Sequence, residues 1–298
     1  MIKAQLKKLA HEFGAHLDLE EFERLYQARL EHPELKIPLG IDRYFLLSQD
    51  SAERKLAPLA RQHHALELER TKAAIAAAEH ELRELAAGKV TVAVKKKIDV
   101  RQRRREKLLG KLDFSFDRIS PIDERVFPGT FAPVIASREG KRLLLPMRYR
   151  VRRPDGGEIP SQYNVFNARK DSLQSAATWK PLFGHRHALF PFTKFFEWVE
   201  REGCAREIAF SPSSRSMMWA ASLYSNTNAK NALPYRSFAM ITDDPPAEVA
   251  AAGHDRCPIF LQEDRIQDWL EPQGKSADFL LGLLSHKEKT IYLNDLVA

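Results

Sequence analysis

Beyond Phe114 the chain is cut into short apolar runs by Pro, Gly, Asn and Asp, and this punctuation limits the fold more than any other feature. The runs lie at 125–136, 142–151, 161–167, 187–198, 206–210, 216–224, 237–242 and 257–261. Runs of this length and composition read as strands. They are not separated by regular helices, as βαβ units would be. The expected class is therefore α+β, with a mainly antiparallel sheet or barrel and flanking helices. Short helices are expected at 263–270, ending before Pro272, and at 276–285. The chain shows no internal repeat and no phosphate-binding glycine loop.

The first half has a different character. Over 2–32, Leu6, Leu9, Phe13, Leu19, Phe22, Leu25 and Leu30 recur mostly at three- and four-residue steps. That spacing predicts two helices broken at Gly14, the second capped by Asp18 and ending at His32 before Pro33. Residues 53–87 are rich in Ala, Leu, Glu, Lys and Arg, which predicts a long helix starting near Pro58 and stopping at Ala87-Gly88. The arm that follows, 89–112, holds ten Lys or Arg against Asp99 and Glu106, a net +8.

The whole chain of 298 residues carries only +7, so its basicity is local. Residues 51–112 read as a helical hairpin, one arm cationic, inserted into a single domain spanning 1–298. Such an arm is expected to contact nucleic-acid phosphates, releasing counterions. It has no aromatic residues interleaved for stacking.

No apolar run approaches the ~20 residues needed to cross a bilayer. The start, Met-Ile-Lys-Ala-Gln-Leu-Lys-Lys, has no signal-peptide character. Cys204 and Cys257 are too few for a disulfide framework. The expectation is a cytoplasmic, reduced protein with no membrane partner.

Three polar residues stand in or beside predicted strands. Glu197 closes an apolar run expected to be one strand from His187 to Phe196, and desolvation there should raise its pKa and suit it to proton transfer. Asn167 and His254 are the others. Near them lie Arg169, Trp198 and Arg256. An amide, an acid, an imidazole, two guanidiniums and an indole suit a cleft for one nucleic-acid strand, with Arg on phosphates and Trp on a base. Cys257 is expected to start a buried strand; residues i and i+3 on a strand diverge, so it should not meet His254 as a nucleophile pair. His185 and His187 lack a third ligand at a convincing spacing, so no metal or cofactor is expected. His63 and His64, adjacent on a helix, read as surface.

Segment 125–270 resembles the SOS-response-associated peptidase (SRAP) family, the abasic-site shielding proteins. Pro146-Met147-Arg148-Tyr149 is similar to that family's Met-Arg-Trp-Gly element. Phe166-Asn167-Ala168-Arg169 is similar to its Asn-Ala-Arg element. Leu189-Phe190-Pro191 through Phe195-Phe196-Glu197-Trp198 resembles its Pro-x-x-Gly-Phe-Tyr-Glu-Trp strand. Met217 to Leu223, with Trp219, resembles the next hairpin, and Ile241-Thr242 a strand end. Gly253-His254-Asp255-Arg256-Cys257-Pro258 is similar to its His-Asp-Arg-Met-Pro element. The elements occur in the family's order over roughly half the chain.

The resemblance implies binding to single-stranded DNA at abasic sites. It implies that an N-terminal cysteine, exposed by autoproteolytic removal of Met, closes a thiazolidine with the opened sugar. Asn167 would position that terminus. Glu197 would shuttle protons, and His254 would act as acid toward the sugar. Arg148, Tyr149, Arg169, Trp198 and Arg256 would contact DNA. The chain departs from the pattern at Ile2, where the family uses Cys, at Tyr149 for Trp, and at Phe127-Pro128. An internal cysteine has no free α-amine and cannot replace the terminal one. Two expectations result: a cysteine just upstream of Met1, as in members that begin Met-Cys-Tyr-Ser-Ala before a stretch like Ala4-Gln5-Leu6-Lys7-Lys8-Leu9, or a relative that binds without cross-linking.

Overall fold

A computed structural model describes residues 14–88, 91–112, 116, 120–153, 155–201, 203–213, 217–226, 233, 235–288 and 291–297. The helix expected before Gly14 lies outside these residues. The chain divides into two compact units. One is mainly Glu23–Arg125; the other is mainly Val126–Ala298 with the short stretch that ends at Phe22.

Strand β1 (His16–Leu17) comes first and pairs in parallel with Leu143–Leu144. Helix α1 (Leu19–Glu31) follows, and the Asp18 Oδ1 accepts the Glu21 N–H at 3.1 Å, the cap expected from its sequence. Helix α2 (Leu39–Leu47), which the sequence pattern did not reveal, starts behind Pro38. Helix α3 (Ala57–Ala87) carries Pro58 in its first turn and stops at Gly88, and α4 (Val92–Leu109) is capped by the Thr91 side chain.

The helical unit has a polar centre. Asp42 is fully buried. It receives Arg29 at 2.8 and 3.0 Å, the Tyr26 hydroxyl at 2.6 Å and His64 Nε2 at 3.1 Å. Removing both charges from water costs several kcal/mol per ion, and the two Arg29 bonds, the Tyr26 hydroxyl and His64 offset that cost at Asp42. Burial alone would raise the Asp42 pKa, but Arg29, His64 and Tyr26 together hold it below the usual carboxylate range. His63 and His64 are thus not surface residues. His63 is buried with neither ring nitrogen bonded among the described residues, and burial, then the charge of Arg29, pushes its pKa down to about 4. The adjacency of two histidines hid this, because one packs inward and the other turns to Asp42.

The second unit is built on a closed ring. Strands β2 (Phe131–Arg138) and β3 (Lys141–Tyr149) form a hairpin through Glu139 and Gly140, both at positive φ. That is the two-residue turn whose twist matches the strands. Strand β4 (Asn167–Arg169) is short. Next come β5 (His187–Phe192), β6 (Phe195–Arg201), β7 (Cys204–Pro212), β8 (Met218–Ser225) and β9 (Arg236–Asp243). β2 pairs with β5, β5 with β8 and β8 with β9, all antiparallel. β9 returns to β3 in parallel through Met147↔Arg236 to Tyr149↔Phe238. Five strands close, and Val134, Leu145, Met147, Phe190, Phe238 and Met240 fill the interior. β4 takes up the edge of β9 where β3 leaves it, through Asn167↔Met240 to Arg169↔Thr242. Helix α5 (Ala247–Ala251) and strand β10 (Cys257–Pro258) follow, then α6 (Ile266–Leu270), α7 (Ala277–Ser285) and β11 (Tyr292–Leu296). β6, β7 and β11 form a second antiparallel sheet.

The α+β class and the antiparallel barrel match the sequence expectation, but the run 187–198 is two strands rather than one. The chain bends at Thr193–Lys194 and passes from the ring into the second sheet. Pro191, with no N–H, lies where β5 has already parted from β2, whose pairing reaches only Ala188 and Leu189. Glu197 is therefore mid-strand. The run 161–167 contributes only its last residue, Asn167, to a strand, and 125–130 form a loop with a turn at Pro128–Gly129 before β2. Helix α5 and strand β11 were not legible in the sequence.

His187 is structural. Its Nε2 accepts from Gly184 N–H at 2.9 Å, its Nδ1 donates to the Trp269 carbonyl at 3.0 Å, and its ring stacks on Trp269. Burial pushes its pKa down to about 3. Both His63 and His187 have folded pKa values below the ordinary value of about 6.5, so the unfolded chain binds protons first. Their contribution is complete above about pH 6.5 and is lost as pH falls towards 4 and 3. Urea unfolding should show stability falling through this window. His63→Leu and His187→Asn should each remove up to one proton of slope, about 1.4 kcal/mol per pH unit. An unchanged slope in both variants would mean that neither ring is held neutral.

Candidate functional site

Glu197 and Val199 share one face of β6, turned toward the core side with Phe195, while Trp198 projects from the opposite face and is 65% exposed. Helix α5 ends at Ala252, and Gly253 takes φ +102°, a conformation that strains any other residue. That turn is seated against Val199. It delivers His254 to the Glu197 face of β6.

His254 Nε2 lies 3.0 Å from Glu197 Oε2. Its Nδ1 lies 2.8 Å from the Arg256 carbonyl, closer than the Arg256 N–H at 3.3 Å. With the Glu197 carboxylate on one side and the nearer Arg256 carbonyl on the other, the surroundings favour the protonated ring. The hydrogen bond to Glu197 raises the His254 pKa, partly opposed by burial and reinforced by the Arg256 carbonyl. Glu197 therefore meets an imidazole whose protonated form it favours, rather than the apolar wall its sequence surroundings suggested.

Asn167 enters from β4. The Asn164 side chain accepts the N–H groups of Phe166 and Asn167, at 3.3 and 3.1 Å, and so fixes the approach to the strand. The Tyr149 hydroxyl donates to Asn167 Oδ1 at 2.8 Å, which fixes the amide and leaves its NH2 as a donor. Burial and then the charge of Glu197 raise the Tyr149 pKa, which places the phenol within electrostatic range of that carboxylate. Tyr149 is stacked on Phe238 and only 6% exposed. It lies beneath the site as a support for Asn167, not on the surface as a DNA contact. Sequence spacing gave no sign of that support, nor of the turn at Gly253.

The remaining expected residues are less closely gathered. Arg169 is exposed and forks onto Asp171 at 2.7 and 3.2 Å. Arg148, at the end of β3, is paired with Glu158 and bonded to the Tyr235 hydroxyl. Arg256 is half-buried. Trp198 is on the wrong face of β6 to share a wall with Glu197, because neighbours on a strand point to opposite sides. Cys257 starts β10 as expected. It is buried, and burial pushes its thiol up to about 12, the reverse of what a nucleophile needs.

The arrangement is an imidazole–carboxylate pair able to pass a proton, an amide held by a phenol, and arginines, of which Arg148 and Arg169 now sit on carboxylates that a phosphate would replace. The family model for SOS response associated peptidase (SRAP) matches residues 88–295. The chain belongs to this family. Among relatives, it is 25% identical over 123 residues to the abasic site processing protein YoaM of Bacillus subtilis (strain 168) and to the abasic site processing protein YoqW of Bacillus phage SPbeta. Each match covers 41% of this chain and 54% of the relative, so the chain spans about half the length of the curated relatives it matches. A crystal structure of a Bacteroides thetaiotaomicron protein aligns with TM-score 0.45 and 16% identity over 56% of this chain and 74% of its own. One from Bordetella bronchiseptica aligns with TM-score 0.46 and 17% identity over 56% and 84%.

Glu197→Gln should lower the titration midpoint of His254, read by NMR of labelled histidine. The folded pKa of His254 is raised, so the pair's contribution is present below the unfolded value of about 6.5 and is lost as pH rises through the folded midpoint. A midpoint unmoved by the substitution would separate the two residues. Tyr149→Phe should cost about 1 kcal/mol in urea unfolding, one buried hydrogen bond. A fully neutral change would mean that Asn167 is held by other groups.

Proposed function

We propose that this protein binds single-stranded DNA at abasic sites and processes them in the cleft formed by Asn167, Glu197 and His254. The observation that carries this reading is the contact of His254 with Glu197 at 3.0 Å. Two motifs far apart in the sequence meet there as an acid and a base. In this reading Arg169 and Arg256 supply charge for phosphates, and the amide of Asn167 serves as a donor.

The chemistry of an abasic site is that of an aldehyde in equilibrium with its closed sugar. His254, as imidazolium, donates a proton to the ring oxygen as the sugar opens. An α-amine then adds to C1′, and Glu197 carries protons as water leaves and an imine forms. If the mature chain begins with a cysteine, its thiol adds to the imine carbon, the thiol proton goes to nitrogen, and a thiazolidine closes with net loss of one water. Asn167 holds that amine. Without such a cysteine the same cleft binds reversibly, and the capture is non-covalent.

The test starts with protein purified from its native cells, whose N-terminus is read by intact and peptide mass spectrometry. It is then incubated with a single-stranded oligonucleotide carrying one abasic site and run on a denaturing gel. An N-terminal cysteine with a covalent adduct establishes the cross-linking form. In that form Glu197→Ala should slow adduct formation by roughly a hundredfold, as removing a positioned proton carrier does. Selective, salt-sensitive binding with no adduct establishes the reversible form. Equal affinity for intact and abasic strands would refute the proposal.

A further inference from the structure

The hairpin arm α4 separates its charges into two sets. Val94, Ile98, Arg101, Arg105 and Leu108 are half-buried and recur at alternating steps of four and three, a seam facing α3. Arg101 is bound to Glu81 at 2.6 Å and Arg105 to Glu79 at 2.8 Å, so these two guanidiniums hold the hairpin together. Lys96, Lys97, Arg103, Arg104 and Lys107 are exposed and form no ion pair with the described residues. At 3.6 residues per turn, Lys96, Arg103 and Lys107 fall within about 40° of one another on the side away from the seam, while Lys97 and Arg104 lie about 90° round the helix, on the flank where Lys96 and Lys97 line a groove with Glu81 and Glu84 of α3. α4 has no fully buried residue, so this face is not there to support a core.

We infer that the outward face of α4 docks on the phosphate backbone of duplex DNA, as a surface separate from the abasic-site cleft. Charge complementarity selects a polyanion. The rigidity of the row selects the duplex. Lys96 to Lys107 spans roughly 16 Å along a helix, a fixed line of charge that a duplex meets with phosphates already in place. A single strand must be ordered to match such a line, and proteins offset that cost by stacking bases on aromatic rings. Residues 91–112 contain no aromatic residue or histidine.

The experiment measures binding of the full chain to an undamaged duplex and to an undamaged single strand of the same sequence, by fluorescence anisotropy over a range of salt. No abasic site is present, so the outcome is independent of the cleft. Lys96→Glu/Arg103→Glu/Lys107→Glu should weaken duplex binding roughly tenfold or more at low salt and reduce the magnitude of the salt slope by about 3. Single-strand affinity should stay within about twofold. The neutral variant Lys96→Gln/Arg103→Gln/Lys107→Gln should show the same pattern more weakly, with helix content by circular dichroism unchanged in both. Unchanged duplex affinity in both variants, or an equal loss on duplex and single strand, would overturn the inference.

Discussion

The parallel pairing of β3 with β9 is the contact on which the site depends. It turns an open sheet into a ring and removes the free edges that an open sheet would expose. It also makes β9 a shared support. β3 occupies the first part of one edge, and β4, bearing Asn167, takes the rest. On the other side β8 gives way to β10, which follows His254. Two of the three central polar residues thus have their place set by the way one strand divides its edges among neighbours. Glu197 comes from outside the ring, and the bend after Phe192 and the turn at Gly253 bring it and His254 together.

The two units solve the problem of buried charge in different ways. In the helical unit, Asp42 is surrounded by Arg29, Tyr26 and His64, and nothing there is left for chemistry. At the Glu197–His254 pair both side chains keep about a fifth to a quarter of their surface in water. A pair so placed is stabilised by its hydrogen bonds and still reachable by a reactant. The same distinction separates His187, whose two nitrogens are both committed to backbone groups in the interior, from His254, whose second partner is itself an ionisable side chain.

Much of the fold could be read in the chain. The punctuated runs beyond Phe114 gave the antiparallel barrel, and the change in composition at 51–112 gave two helical arms. Asp18, Pro58 and Gly88 marked helix ends because their constraints are local. What could not be read depended on partners distant in sequence. The apolar run from His187 looks continuous, since nothing in it reveals that its second half pairs with Cys204–Pro212. Tyr149 looked like a member of a DNA-contacting motif, whereas its hydroxyl meets an amide from another strand. His63 and His64 looked exposed because the acid that receives one of them lies on the preceding helix, 22 residues earlier in the chain. The site was legible as residue types near strand positions; the pairing of Glu197 with His254 was not, since it arises only where β6 passes α5.

Helix α4 takes part in the fold through one face alone, where Arg101 and Arg105 clasp α3 and a few aliphatic side chains half-cover one another. Its outer positions carry no packing obligation, so substitutions there are unconstrained by the core and cost little stability. Selection acting on those positions sees only what they touch outside the molecule. Tyr149, on β3 of the ring, holds Asn167, so a change there reaches the site, whereas the outer face of the arm holds nothing in the fold. Affinity for a partner could thus be raised, lowered or lost on this helix while the chemistry beneath the ring stays as it was.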